Sequence, residues 1–466
     1  MEDTAQLTRD ERAALGKAAR SKAARSQHAD WEAPVGRTDP VEVLLQAAED
    51  SDQELVPIRF GRMLESPFTF FRGAASVMAA DLATTAKSGL TAQLCGDAHL
   101  SNFGGFASPD RTLVFDINDF DETLPGPWEW DLKRLAASIE VAGRDLGLSG
   151  KRRRAAVRST AREYREAMRG FAEMSNLEVW YSRLDEAAIL KRWGDRATAK
   201  TKTRAQKRMA KARSKDSLRA FARLTHVVDG ERRIISDPPL ISPIEEWMPK
   251  SDLPGADEQM RELLGAYRRT LSGGARHLID GYRYVHVARK VVGVGSVGTR
   301  ALIVLLLGVD DHDPLFLQVK EATRSALEPH LKKSRFRAHG QRVIEGQWLI
   351  QAASDSFLGW LTATGVDGVK RDFYVRQLWD WKLSAEIAGM GPSDLAAYGE
   401  MCGWTLARAH ARSSDRVALA SYIGGGDAID RALADFARKY ADQNERDYGA
   451  LDAAARSGRV AAEKGV

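Results

Sequence analysis

The sequence predicts an α+β protein with a small antiparallel β lobe and a larger, mainly helical lobe, and two stretches of chain carry that prediction. Residues 131–225 are helical in composition, with Leu132, Leu135 and Ile139 at helical spacing. Residues 281–320 instead contain β-branched residues, a glycine cluster and the apolar run 301–307, which indicates consecutive strands joined by turns. A helical body and a separate β-rich lobe follow from this contrast.

Composition divides the chain into five segments. Residues 1–60 form a charged, alanine-rich arm, and residues 61–150 contain short strands broken by Gly, Asp, Asn and Pro, which we assign to the large lobe. Residues 151–280 continue the helical part and the connector, residues 281–390 form the small lobe, and residues 391–466 are helices that complete the large lobe.

Charge and cysteine content exclude several classes of protein. The chain has 466 residues, 44% of them apolar, and a net charge of +5, which does not by itself favour nucleic acid. Cys95 and Cys402 are too few for a disulfide framework or a zinc-ligand set. The run 301–307 is too short for a bilayer span, which needs about 20 residues. We expect a cytoplasmic protein without a membrane segment.

Polar side chains cluster between Cys95 and Glu122. Asp97 and Asn102 precede a predicted hairpin, and Asp116 ends its second strand. Phosphoryl transfer needs a carboxylate that positions the acceptor hydroxyl and oxygen ligands that hold Mg²⁺. We predict Asp97 in the first role and Asn102 and Asp116 in the second. An acidic surface loop and a calcium site remain alternatives, and Asp119 and Asp121 are further candidates for binding a metal or a cationic substrate.

A second cluster lies in the predicted small lobe. Gly293, Gly295, Ser296 and Gly298 form a glycine-rich turn between strands, where backbone amides can approach phosphate oxygens. Lys320 follows at the end of a later strand and would supply a fixed positive charge to the same phosphates. A dinucleotide-binding turn is the competing interpretation, but it requires a helix directly after the glycines, and residues 301–307 are strand-like.

Three further residues complete the predicted nucleotide site. Glu345 lies in a helical pattern after Lys320 and is our candidate for the carboxylate that steadies it; a solvated helix-face glutamate is the alternative. The backbone near Gln377 and Leu378 would meet the adenine edge.

The first cluster resembles the catalytic signature of aminoglycoside phosphotransferases and choline kinases, which have a protein-kinase-like fold. The segment Gly96-Asp97 to Asn102, followed by a strand that ends in Phe115-Asp116, is similar to that signature, and Cys95 replaces its usual His. The resemblance implies that Asp97 is the catalytic aspartate and that Asn102 and Asp116 are metal ligands. It also implies ATP and Mg²⁺ as cofactors.

The order of these pieces is rotated relative to an ordinary kinase. Residues 398–415 resemble the helix that normally runs directly into the catalytic segment, yet here they lie far downstream of it. The resemblance therefore implies a circular permutation of a bilobal kinase-like fold. We expect Ser413 and Thr91 to be neighbours.

Nearly the whole chain also resembles the bacterial domain of unknown function 2252. The recurrent pieces of that family begin here at Arg62, Cys95, Phe115, Val292 and Leu315. The resemblance implies membership without naming a substrate.

These observations predict an ATP- and Mg²⁺-dependent phosphotransferase that acts on a hydroxyl of a small molecule. Nucleotidyl transfer on the same fold and a non-catalytic nucleotide-binding protein remain alternatives. The basic stretch 200–213 leaves nucleic-acid binding as a further, disfavoured reading, because it contains no aromatic residue for base stacking. Arg72 is open between a ligand contact and a structural ion pair.

Overall fold

In the computed structural model, the chain folds as a mixed α+β structure with a largely helical body and small antiparallel sheets. The structure describes residues 7–194, 203, 207, 209–214, 216–251, 253–291, 297–365, 367–378 and 380–465. Within those ranges, no helix has both the length and the apolar character needed to cross a membrane.

The elements alternate between helical and strand-rich stretches. The helices are α1 (Arg9–Ala18), α2 (Pro40–Ala47), α3 (Val56–Met63), α4 (Pro67–Gly73), α5 (Ala75–Ala83), α6 (Glu129–Asp145), α7 (Gly150–Glu173), α8 (Asn176–Tyr181), α9 (Glu186–Trp193), α10 (Ser217–Leu224), α11 (Ile244–Trp247), α12 (Leu253–Arg268), α13 (Gly273–Ile279), α14 (His339–Ile350), α15 (Pro392–Ser413), α16 (Arg416–Ile423) and α17 (Ala428–Arg456). The strands are β1 (Thr91–Leu94), β2 (Phe103–Ala107), β3 (Leu113–Ile117), β4 (Leu124–Pro127), β5 (Leu184–Asp185), β6 (Thr225–Val228), β7 (Glu231–Ile234), β8 (Ile241–Pro243), β9 (Arg283–Lys290), β10 (Ala301–Leu307), β11 (Pro314–Glu321), β12 (Gly359–Thr364), β13 (Lys370–Gln377) and β14 (Leu383–Ser384).

The largest sheet has six antiparallel strands in the order β12-β13-β11-β10-β9-β8. Alternate residues of β10 enter two different apolar clusters, Ile303 and Leu305 on one face and Val304 and Leu306 on the other. A strand buried on both faces gives a continuous apolar run rather than an alternating pattern, which explains the sequence signal there. The edge strand β8 begins at Ile241, so this sheet includes a strand from residues 151–280, which the sequence predicts to form helices and a connector.

A smaller sheet, in the order β14-β2-β3-β5, carries the predicted catalytic segment. β2 and β3 pair as an antiparallel hairpin in which Phe103 faces Ile117 and Gly104 faces Asp116. β1 pairs instead with β4, and a short 3₁₀ turn over residues 100–102 connects the β1 loop to β2. This hairpin sets which side chains of the acidic run reach the same cleft.

The helical body is built around the pair α7 and α15, with α6 and α17 beside it. The helices approach closely at Gly403, where any Cβ would overlap the carbonyl oxygen of Thr160. At the end of α15 the Ser413 hydroxyl accepts a hydrogen bond from the Gln93 amide of β1, 3.1 Å. The end of α15 and the strand that starts at Thr91 are therefore neighbours, as predicted.

The N-terminal segment differs from the charged arm predicted for residues 1–60. Trp31 and His28 are buried against the body, and the His28 Nε2 lies 2.6 Å from the Tyr422 hydroxyl. Leu44 of α2 joins an apolar cluster with Leu451 of α17. The segment also contributes a largely buried ion pair, because Arg37 bonds to Asp81 and Asp447, and it packs as part of the large body.

Candidate functional site

The loop that carries Asp97 is held in one conformation by its neighbours. The backbone amides of Cys95 and Gly96 donate to the two carboxylate oxygens of Asp131, at 2.8 and 3.0 Å. Gly96 has φ +88°, and a Cβ there would overlap the carbonyl oxygen of Glu122. Because only glycine fits this turn, the backbone conformation at Gly96 determines where Asp97 lies.

Asp97 is oriented by an arginine and a histidine. Arg134 of α6 donates from Nε to Asp97 Oδ1 at 2.6 Å, and His99 Nε2 lies 3.5 Å from Asp97 Oδ2. Burial lowers the pKa of His99 to about 3, although Asp97 opposes this, so the ring is neutral. The Ser101 amide donates to His99 Nδ1, 3.2 Å, which assigns the ring proton to the Nε2 that faces Asp97.

Asn102 and Asp119 are joined through the backbone of the hairpin. The Asn102 side-chain amide donates to the carbonyl oxygen of Asp97 at 2.9 Å, and its backbone carbonyl accepts from the Asn118 amide at 2.8 Å. Asp119 follows Asn118 directly, and all three side chains line one cavity. The hairpin therefore presents an amide oxygen and a carboxylate to the same space as the Asp97 loop.

Asp116 does not reach this cavity, which corrects the prediction that it binds a metal. Its side chain is 1% exposed and forms an ion pair with Arg408 of α15. Its carboxylate also accepts from the Ile117 and Ala352 amides, each at 2.8 Å. Both oxygens are satisfied by the protein in a closed environment, so Asp116 anchors α15 and the end of α14 to β3.

Lys320 meets the acidic run of the hairpin as predicted, but with other partners. It is buried in β11 and forms an ion pair with Asp121, and its Nζ lies 4.0 Å from Asp119 Oδ2. Asp121 also accepts from the Tyr374 hydroxyl at 2.7 Å. Glu345 is half-buried on α14 and makes no ion pair with Lys320 within 4 Å. The carboxylate that steadies Lys320 is therefore Asp121, which corrects the assignment of Glu345.

The two aspartates near Lys320 have opposite pKa shifts. Burial, together with the charge of Asp121, raises the pKa of Asp119. Burial also opposes ionisation of Asp121, but Lys320 and the Tyr374 hydroxyl outweigh it and lower the pKa of Asp121. Lys320 thus neutralises Asp121 and leaves Asp119 short of positive charge. A cation bound beside Asp119 would relieve that deficit.

Asn102, Asp119 and Lys320 line a cavity of about 560 Å³ between the two larger sheets. The volume falls within the range of small-molecule sites, about 300–1,000 Å³. Gln377 and Leu378, which we predict to meet an adenine edge, line this cavity. Their amides are already used, however: Gln377 donates to the Asp355 carboxylate and Leu378 donates to the Phe316 carbonyl. An adenine ring bound here would have to use backbone carbonyls and stacking, or displace the Asp355 carboxylate from the Gln377 amide.

Two arginine side chains at or beside the cleft are not predicted from the sequence. Arg376 of β13 lines the cavity and donates to the Gln318 side chain at 2.9 Å and to the Asn118 carbonyl at 3.0 Å. Arg342 of α14 donates to the carbonyls of Asp121 and Thr123, each at 2.8 Å. Arg342 stands one turn before Glu345, so α14 stabilises the hairpin through a cation rather than through the predicted carboxylate.

Most of the predicted glycine turn lies outside the described residues, including Gly293, Gly295 and Ser296. Gly298 is described, with φ +100°, and its carbonyl accepts from the Asp52 amide at 2.7 Å. It packs against Ser51 and is not among the residues that line the cleft. Half of the basic stretch 200–213 is also outside the described residues.

A wider surface groove of about 650 Å³ lies between α7 and α15. Several of its arginines are neutralised by acids, as in the pairs Arg158–Asp427 and Arg165–Asp430. It contains none of the motif residues, so the cleft between the sheets remains the candidate site.

The chain is therefore a mixed α+β protein with a polar cavity between two sheets. A lysine, an asparagine and an aspartate from separate segments line this cavity. Residues 51–454 match the family described as an uncharacterized protein conserved in bacteria (DUF2252), and the chain belongs to this family. No curated protein and no solved structure matches the chain.

Proposed function

We propose that this protein is an ATP- and Mg²⁺-dependent phosphotransferase with a circularly permuted, kinase-like fold. The observation that carries the proposal is the convergence of Asn102, Asp119 and Lys320, from loops and strands more than 200 residues apart, around one cleft, with the Asp97 backbone bonded to Asn102. Phosphoryl transfer is catalysed mainly by positioning and by positive charge around the phosphates, and this set supplies both. Asp97 would orient or deprotonate the acceptor hydroxyl.

Asn102 and Asp119 are the residues that fit a magnesium ion. Within the described part of the chain, no cluster of three or more His, Cys, Asp or Glu side chains is arranged to hold a metal ion. That agrees with Mg²⁺, which is usually held by one or two carboxylates together with phosphate oxygens and water. When bound, the ion would neutralise phosphate charge, while Lys320 and Arg376 provide fixed cations from the opposite sheet.

The permutation is supported by how the pieces meet. In a kinase-like order, the helix equivalent to α15 would run directly into the β1 segment. Here Ser413 at the end of α15 bonds to Gln93 of β1, although the two residues are 320 positions apart. The Glu463 amide also bonds to the Pro57 carbonyl at 2.8 Å, so segments on both sides of this junction are in contact.

The first test is nucleotide binding followed by turnover. Saturating ATP·Mg²⁺, at about 100 times its Kd, should stabilise the chain by about 2.7 kcal/mol, measured as a rise in unfolding temperature. Asp97→Asn should keep that rise and lower phosphate release from ATP by about 10²–10⁴-fold, because it removes the general base.

Each outcome has a defined meaning. Absence of any nucleotide-dependent stabilisation sinks the proposal, and equal turnover in Asp97→Asn removes Asp97 from the role. Binding without turnover in the wild-type chain supports a nucleotide-binding regulatory protein instead. With ATP labelled at either the α or the γ phosphate, retention of the α label on an acceptor identifies nucleotidyl transfer.

A further inference from the structure

Arg72 occupies the end of α4 beside the candidate catalytic loop. Arg134 fixes this end of the helix, because it donates from Nη2 to the Phe71 carbonyl at 2.8 Å and its guanidinium lies 4.2 Å from the centre of the Phe71 ring. The same Arg134 donates to Asp97. One side chain therefore sets the position of Arg72 relative to Asp97.

Arg72 lines the cleft without a hydrogen-bonding partner of its own. Its Nε is buried and makes no hydrogen bond, and among the described residues no ion pair reaches its guanidinium. Burial lowers the pKa of Arg72, while the nearby charges of Asp97 and Glu65 act in the opposite direction. The carboxylate of Asp97 already faces Arg134 and His99. A buried cation left unpaired is costly unless a ligand completes it.

The other arginines at the cleft are committed to the protein. Arg376 bonds to Gln318 and Asn118, and Arg111 bonds to both carboxylate oxygens of Asp380 at 2.8 Å. Arg72 differs from them, and its planar fork matches the geometry of a carboxylate or a phosphate. Ser101 lines the same part of the cavity and offers a hydroxyl.

We propose that the acceptor is a small hydroxyl compound that also carries a phosphate or carboxylate group, and that Arg72 binds this group. The inference rests on the proposed function and names its substrate class. The oxyanion docked on Arg72 would place a hydroxyl of the same molecule towards Asp97. A cationic acceptor is disfavoured, because Arg72 presents a positive charge to this end of the cleft.

The competing role for Arg72 is contact with the transferred phosphoryl group of ATP. The experiment separates the two roles by occupying the nucleotide site with a non-hydrolysable ATP analogue. Unfolding temperatures of the full chain are measured with inorganic phosphate, with glycerate and with choline, each with and without Mg²⁺ and a non-hydrolysable ATP analogue. The variants are Arg72→Gln, the conservative Arg72→Lys, and Arg431→Gln as a control. Arg431 is a half-exposed arginine on α17, outside the cleft, paired with Asp427.

Phosphate and glycerate should stabilise the wild-type chain and Arg431→Gln, and choline should not. Arg72→Gln should raise the apparent Kd for both anions by about 10- to 100-fold, and Arg72→Lys should keep part of the affinity. Without ligand, Arg72→Gln should unfold at no lower a temperature than the wild type, because it removes an unpaired buried charge.

Three results would overturn the proposal. The first is equal anion stabilisation in Arg72→Gln. The second is a lower unfolding temperature of ligand-free Arg72→Gln, with Arg72→Lys restoring it, which would make Arg72 structural. The third is loss of anion binding once the ATP analogue is bound, which would assign Arg72 to the transferred phosphoryl group. If the ATP analogue does not bind the wild type while anion binding still depends on Arg72, the proposed function is wrong instead.

Discussion

Asp116 and Asp119 are three positions apart, yet their surroundings predict different consequences when each loses its charge. Asp116 lies between Arg408 and two backbone amides, with no exposed oxygen. Asp119 retains 29% exposure of its side chain and faces the cleft. One carboxylate is therefore part of the core, and the other is available to a ligand.

Asp116→Asn should destabilise the fold by about 3–5 kcal/mol, because it leaves the buried Arg408 without its counter-charge. Asp119→Asn should leave the free energy of unfolding nearly unchanged or slightly higher, since burial already disfavours its charged form. The same change should weaken Mg²⁺-dependent nucleotide binding by about tenfold or more. Urea unfolding and nucleotide titration of the two variants measure both effects, and a reversal of the two patterns would restore Asp116 as the metal ligand.

Asn102 and Lys320, which local motif spacing singles out in the sequence, line the cleft, and the Asp97 backbone bonds to Asn102 beside it. The sequence misassigns Asp116 because it does not reveal that Arg408, 292 positions away, is the ion-pair partner of this carboxylate. Glu345 is misassigned for a similar reason. Residues 116–122 contain four acidic side chains, and the sequence does not show which of them pairs with Lys320. The turn after β3 places Asp121 in that position.

At the scale of elements, the β1 loop depends on one residue that tolerates no side chain. Gly96→Ala should cost about 1–2 kcal/mol for the left-handed backbone, and further destabilisation should follow from the overlap with Glu122. Because the loop carries Asp97, turnover should fall more than stability alone explains. Thermal unfolding and phosphate release from ATP are the measurements.

Gly147 provides the matched control. It also has a positive φ, +67°, but nothing lies within 4 Å of its missing Cβ. Gly147→Ala should therefore show only the backbone cost and normal turnover. Equal effects of the two alanine substitutions would show that the close approach to Glu122 does not constrain the loop.

Element types follow well from the sequence where a single periodicity dominates. The consecutive strands within residues 281–320 and the helical pattern around Glu345 are predicted correctly, because burial on one or two faces imposes its own period. The packing of the N-terminal segment is not apparent from the sequence, because its buried residues, such as Trp31 and Leu44, are spread among charged and small ones.

At the scale of the whole molecule, the two ends of the chain are tied together by buried charge. Arg37 bonds to Asp81 at 2.6 Å and to Asp447 at 2.7 Å, which joins the N-terminal segment to α5 and α17. No sequence pattern relates these three residues. These ion pairs therefore hold the N-terminal segment and the C-terminal helix α17 in one body.

The stability of the whole chain should depend on pH through its buried histidines. Burial lowers the pKa of both His28 and His99 to about 3, from 6.5. Since the folded-state pKa is below the unfolded one, the unfolded chain binds protons first as the pH falls below 6.5. The free energy of unfolding should then decrease by up to about 1.4 kcal/mol per pH unit for each histidine, until the pH approaches 3.

Urea unfolding between about pH 7 and about pH 5 measures this slope, above the range where most carboxylates titrate. His28→Gln should reduce the slope by about one proton, whatever its effect on stability at neutral pH, because Gln cannot be protonated in the unfolded chain. His312→Gln removes a histidine that is 89% exposed and should leave the slope unchanged. A slope that is the same in all three proteins, or stability that rises on acidification, would show that His28 is not held neutral by burial beneath the N-terminal segment.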